Sequence, residues 1–172
     1  MKKVLALTLV AILLAGCGAA TTVKTGLGHT VSIASSKDAT AEAEGAAQVD
    51  TVMAAVSVDK AGKIVSVTID TAQVKVNFDA TGKITSNKDE KPETKVEKGD
   101  AYGMKKNSGI GKEWYEQIAD LEKWMVGKTV DQVKAMKLND EGRPAEADLT
   151  SKVTIHVNDY IEAVSEAVAN AR

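Results

Sequence analysis

The sequence predicts an α+β fold, an antiparallel β-meander sheet with helices packed on one face, in a single domain that follows an export signal. Three observations carry this expectation. The hexapeptide Asp59-Lys60-Ala61-Gly62-Lys63-Ile64 recurs twenty positions later as Asp79-Ala80-Thr81-Gly82-Lys83-Ile84, and Asp-x-x-Gly fits a type I turn closed by a glycine bulge between paired strands. Trp114, Ile118, Leu121 and Met125 step by four, three and four residues, which is one face of a helix that stops at Gly127. Ile161, Val164, Val168 and Ala171 share the face of a last helix, with Asn158 or Asp159 as its N-cap.

The N-terminus sets the compartment. Lys2 and Lys3 precede an apolar run from Val4 to Ala15, too short for a comfortable membrane span and laid out as a secretory signal. Leu14-Ala15-Gly16-Cys17 resembles the lipobox of bacterial lipoproteins, which implies that the Cys17 sulfur carries lipid and that Cys17 becomes the first mature residue. An ordinary cleaved signal and an uncleaved helix are the competing readings. Cys17 is the only cysteine, so none is left for a disulfide, a metal cluster or a thiol nucleophile. The expected layout is a lipoprotein signal peptide over 1–16, a lipidated tether over 17–25 and a domain over 26–172, anchored on the extracytoplasmic face of the cell membrane.

Composition narrows the function classes. Without Lys2 and Lys3 the mature chain has 20 basic against 24 acidic side chains, a mild acidity with no basic stripe for nucleic acid. Aromatics are 3% of the chain, so the core must be built from Val, Ile, Leu and Ala.

The elements follow in order. Alternation of Val31 and Ile33 with Thr30 and Ser32 predicts a strand over 29–34 with the two aliphatics on its buried face. Residues 35–45 read as a loop or polar edge. Val52 to Val58 with Ile64 to Ile69 form one hairpin, and Val74 to Phe78 with Lys83 to Ser86 a second, giving four strands. The Asp-x-x-Gly turns lack the further oxygen ligands that a calcium loop needs. From Asn87 to Asp100 charges of both signs surround Pro92, a solvated excursion. Thr129 with Gln132 is a capping box that opens a short helix through Val130, Val133 and Met136. A turn-rich stretch then holds Gly142 and Pro144.

Chemistry concentrates in Asp148-Leu149-Thr150-Ser151-Lys152-Val153-Thr154-Ile155-His156-Val157. If extended, it turns Val153, Ile155 and Val157 to the core and presents the Thr154 hydroxyl between Lys152 and His156. The last helix begins just beyond, and free N–H groups at a helix start favour phosphate. The same residues also read as an ordinary solvent-facing strand. His29 and His156 lack metal-ligand spacing, Gly26-Leu27-Gly28 is no dinucleotide fingerprint, and no Ser-His-acid order is visible.

Asp148, Ser151 and Thr154 fall in the spacing of the pattern Asp-x-x-Ser/Thr-Gly-Ala-Thr, so the segment resembles the FMN-binding domain family, in which a flavin transferase joins that Thr to the FMN phosphate. Lys152, Val153 and Val157 stand where the family has Gly, Ala and Ser or Thr. With the lipobox, the Gly-Lys-Ile meander and Gly109-Ile110-Gly111 before an aromatic helix, residues 26–172 resemble flavinylated lipoproteins of Gram-positive extracellular electron transfer. The resemblance implies covalent FMN on Thr154, with Asp148 and Ser151 as accompanying site residues and no catalytic or metal residues. It also implies membrane lipid through Cys17, a flavin transferase and a membrane electron donor as partners. The role implied is an electron-transfer flavoprotein passing electrons to extracellular acceptors, rather than an enzyme with its own substrate. Among the aromatics Tyr102, Trp114, Tyr115 and Trp124, Trp114 begins the apolar stripe, whereas Tyr115 and Trp124 lie off it and are the candidates for contact with the isoalloxazine. A cofactor-free surface binding or adhesion lipoprotein on the same fold is the alternative; a solute-binding lipoprotein would need two lobes around a cleft.

Overall fold

A computed structural model describes residues 22–172; the signal peptide, Cys17 and most of the tether lie outside the described residues. The order is strands β1 (Lys24–Ser32), β2 (Gly45–Val58) and β3 (Ile64–Phe78), then helices α1 (Lys95–Lys98), α2 (Trp114–Met125), α3 (Val130–Lys134) and α4 (Asn158–Ala169), with 3-10 turns at Gly99–Tyr102 and Met104–Lys106. The strands form one antiparallel sheet in the order β1-β2-β3.

The fold class is the expected α+β, but the meander has three strands instead of four. β3 runs unbroken from Ile64 to Phe78, because Asp70 to Gln73 contains no residue that stops a strand, and 83–86 keeps only a single bridge between Phe78 and Ile84. Both Asp-x-x-Gly turns form as expected. In each the aspartate accepts from two backbone N–H groups, those of Ala61 and Lys63 on Asp59 and of Thr81 and Lys83 on Asp79. Gly62 and Gly82 take φ of 74° and 83°, which a Cβ would oppose.

The first strand reverses the expected faces. β1 already begins at Lys24, and its buried positions are Gly26 and Gly28, while Val31 and Ile33 stand exposed. The cause is α4, which lies so close that a Cβ on Gly26 would fall 2.0 Å from the Ala167 carbonyl oxygen and one on Gly28 2.1 Å from that of Ala163. Small residues on both partners replace side-chain interdigitation with backbone contact. α4 accordingly buries Tyr160, Ala163, Val164 and Ala167, with Ile161, Val168 and Ala171 only packed at the margin. Its N-cap is Val157, without a side-chain cap, in place of Asn158 or Asp159.

α2 buries Trp114, Gln117, Ile118, Leu121 and Met125, the expected stripe plus one glutamine. These side chains, with Val52, Ala54, Val56, Val67 and Ile69 of the sheet, form the core between sheet and helices. Both sheet edges are closed by the chain itself. Ile69 N–H donates to Glu122 at 2.6 Å beside β3, and His29 N–H donates to Glu166 at 2.6 Å beside β1. Burial raises the Glu122 carboxyl above its ordinary range, which the Ile69 bond partly offsets.

The stretch 87–100 is not wholly solvated. Thr94 and Glu97 make a capping box, Thr94 bridges to Ala72, and Val96 N–H donates to Asp70. That pins α1 to the edge of β3 and turns Lys95 inward.

Candidate functional site

Thr154 is not on a strand. Residues 147–152 are turns, tied by Thr150 and Val153 N–H bonds to the carbonyls of Glu146 and Leu149. Val153 and Val157 are the buried pair, 1% and 0% exposed, and Ile155 is only half-buried. The two valines anchor the segment in the core and leave Thr154 between them on its accessible side.

Gln117 fixes the threonine. Its Oε1 accepts from the Thr154 backbone N–H at 2.8 Å and from Thr154 Oγ1 at 3.2 Å. The amide is fully buried, and its Nε2 lies within donating distance of Ser108 Oγ and the Lys112 carbonyl, both at 3.3 Å, and of Met104 Sδ. Buried amides hold geometry when their bonds are made. Beside it, buried Glu113 accepts from Met104 and Lys105 N–H, which folds the loop 104–112 against the start of α2.

Thr154 opens onto a cavity of about 460 Å³, with Trp114 and Tyr160 on its apolar side, Lys95 and Arg143 as its cationic groups, and His156 beside them. Trp114 Nε1 donates to Tyr160 Oη at 3.0 Å, and the rings meet edge to face with centroids 6.1 Å apart. Lys95 Nζ lies 5.1 Å from the Tyr102 ring centroid and 5.2 Å from that of Trp114. Burial pushes the Lys95 amine below its usual range, with Asp50 partly offsetting this, and burial pushes the Tyr160 phenol up.

Arg143 arrives by a third copy of the hairpin turn. Asn139 Oδ1 accepts from Glu141 and Arg143 N–H, Gly142 has φ 68°, and Leu138 pairs with Pro144. The Gly142 carbonyl then accepts from Val157 N–H at 2.9 Å, which ties this turn to the start of α4. Arg143 bonds Glu141 through Nη1, while its buried Nε has no protein partner.

Of the sequence-derived site residues, Thr154 faces the cavity, whereas Asp148 and Ser151 are exposed on the preceding turn and are not among its lining side chains. Tyr115 and Trp124 are also elsewhere: Tyr115 donates to Asp100 and Trp124 lies under Lys128. Trp114 and Tyr160 line the cavity instead. Of the loop glycines only Gly109 reaches the wall. The residues missed from sequence are Gln117, Lys95, Arg143 and Tyr160. Gln117 had a signal, a lone amide on an otherwise apolar helix stripe; the others are joined only by the tertiary fold.

The residues around the cavity are of the kinds a flavin nucleotide would need. The cavity lies within the size range of cofactor sites, is backed by Trp114 and Tyr160, and has Lys95 and Arg143 in its lining. No side chain caps the nearby start of α4.

No model of a known protein family matches the chain, and no solved structure matches it. A curated protein named chlorophenol reductase, from Desulfitobacterium hafniense, is 45% identical over 65 residues, covering 36% of this chain. The chain matches about a fifth of that relative's own length (20%). The likeness is to a protein named for a redox activity.

Proposed function

We propose that this protein is a membrane-anchored extracytoplasmic electron carrier with FMN held covalently through a phosphoester to Thr154, and that lipid on Cys17 keeps it at the cell surface. The observation that carries the reading is the Thr154 hydroxyl, oriented by a buried glutamine and opening onto an aromatic and cationic cavity. Partial identity to a named reductase supports a redox role.

FMN, when bound, supplies one- and two-electron chemistry. The chain's own residues bind and orient it. Lys95, Arg143 and the uncapped start of α4 offer positive charge to a phosphate, His156 offers it a ring N–H, and Trp114 with Tyr160 backs the apolar wall from the core. Attachment forms a bond between Thr154 Oγ1 and phosphorus, and the hydroxyl proton is lost. A phosphate monoester does not condense with an alcohol unaided in water, so the transferase must draw on a donor carrying FMN on a pyrophosphate, whose other nucleotide leaves. Tethering then keeps the cofactor at high effective concentration outside the cell, where free flavin would be diluted away.

The departures at 153 and 157 are core positions in this fold, so they answer to packing and leave the Thr154 hydroxyl, held by Gln117, on the cavity side. Co-expression with a competent flavin transferase tests the reading. In-gel flavin fluorescence is expected for the native chain and absent for Thr154→Ala; a colourless native chain would select the cofactor-free surface lipoprotein instead.

A further inference from the structure

The sheet has a bare face. On the side away from the helices Leu27, Val31 and Ile33 are 71%, 59% and 68% exposed, continued by Val49, Met53 and Val74. Pairing of β1 with β2 sets Leu27 beside Ala55, His29 beside Met53 and Val31 beside Thr51, and β2 with β3 sets Val49 beside Val74 and Met53 beside Asp70. The outward positions of the paired strands carry only His29 and Asp70 as ionisable groups. Contiguous apolar patches of this kind mark interaction sites.

Two observations choose the occupant. The three strands, of 9, 14 and 15 residues, cover roughly 600 Å² at ordinary rise and spacing, short of the ~800 Å² per partner of a stable protein interface, so a second copy would be held weakly. The aliphatics at 27, 31 and 33 lie on or beside β1, the strand nearest the proposed anchor: seven peptide steps separate Cys17 from Lys24, at most roughly 25 Å of chain. We infer that this sheet face lies on the phospholipid surface. An anchor on Cys17 delivers it there at high local concentration, and the helical layer with the Thr154 cavity is turned outward. The inference rests on the reading of Cys17 as lipidated. It gives the carrier an orientation in which the cavity meets soluble acceptors, and from which the domain must lift to meet a donor within the membrane.

The test uses the full lipidated chain in phosphatidylcholine–phosphatidylglycerol vesicles. A thioether-linked Cys17 does not react with thiol reagents, so Val31→Cys, Met53→Cys and, on the opposite side, Lys152→Cys each carry one environment-sensitive fluorophore. Spin-labelled lipid is expected to quench and vesicle binding to blue-shift the probes at 31 and 53, leaving that at 152 unchanged; two independent face positions guard against a variant that misfolds. Unquenched probes at both positions on vesicle-bound protein would overturn the inference with the anchor intact. Transfer between probes on two copies without lipid quenching would also overturn it, assigning the face to self-association. Absence of lipid mass on Cys17 would remove the anchor and this inference together, leaving the flavin reading to its own test.

Discussion

At the scale of single residues, Gln117 is the positioning group of the site. Its one carbonyl oxygen receives both the backbone and the side chain of Thr154. Gln117→Leu keeps the volume but strands the Thr154 N–H, and should cost about 1–3 kcal/mol in urea unfolding while lowering flavin incorporation. Thr154→Ala should abolish incorporation with little loss of stability, because its backbone bond persists. Lys95 gives a pH signature. Its amine titrates below its ordinary value when folded, so between the folded and unfolded values the unfolded chain binds more protons and stability contributed by this group rises with pH. Melting temperatures of native and Lys95→Met protein should therefore draw relatively in the native chain's favour as pH climbs toward 10.5; a constant difference would exclude the depressed value. Gln117 left a signal that went unread, an amide interrupting an apolar stripe. Lys95 left none, because it sits in a charged stretch and only the tie of α1 to β3 turns it inward.

At the scale of elements, the agreement and the failures have a common physical root. Local signals held: the Asp-x-x-Gly turns, the α2 stripe and the Thr129–Gln132 capping box all formed. Periodicity failed where contact was made by backbone. The Val31 and Ile33 alternation in β1 marks a face, but the helix sits on the other one because glycines there permit closer approach. Gly28→Ala should accordingly destabilise by about 1–3 kcal/mol or more, read by chemical denaturation, whereas Val31→Thr should change it little. The segment holding Thr154 looked extended because its valines alternate, yet only Val153 and Val157 reach the core and Ile155 is half-buried. A third Asx-type turn at Asn139 went unread because Asn and Arg replace Asp and Lys. Asn139→Ala removes two acceptor bonds and should displace Arg143, weakening flavin incorporation without unfolding the domain.

At the scale of the whole molecule, in the proposed reading one layer serves the cofactor and the other the membrane surface. Helices and the loops between them gather Thr154, Trp114, Tyr160, His156 and the cationic Lys95 and Arg143 around one cavity, while the sheet presents an almost uncharged face with exposed aliphatics on the opposite side. This division follows from a three-stranded sheet with helices on one face only: the covered face builds the core and the site, and the uncovered one is left for a partner. The central claim is a single covalent bond. Trypsin cuts after Lys152 and at Arg172, so the peptide 153–172 can be weighed after co-expression with a flavin transferase. The account predicts that this peptide gains the mass of FMN less one water, with fragmentation placing the addition on Thr154; the unmodified mass alone, from protein exposed to an active transferase, would contradict it.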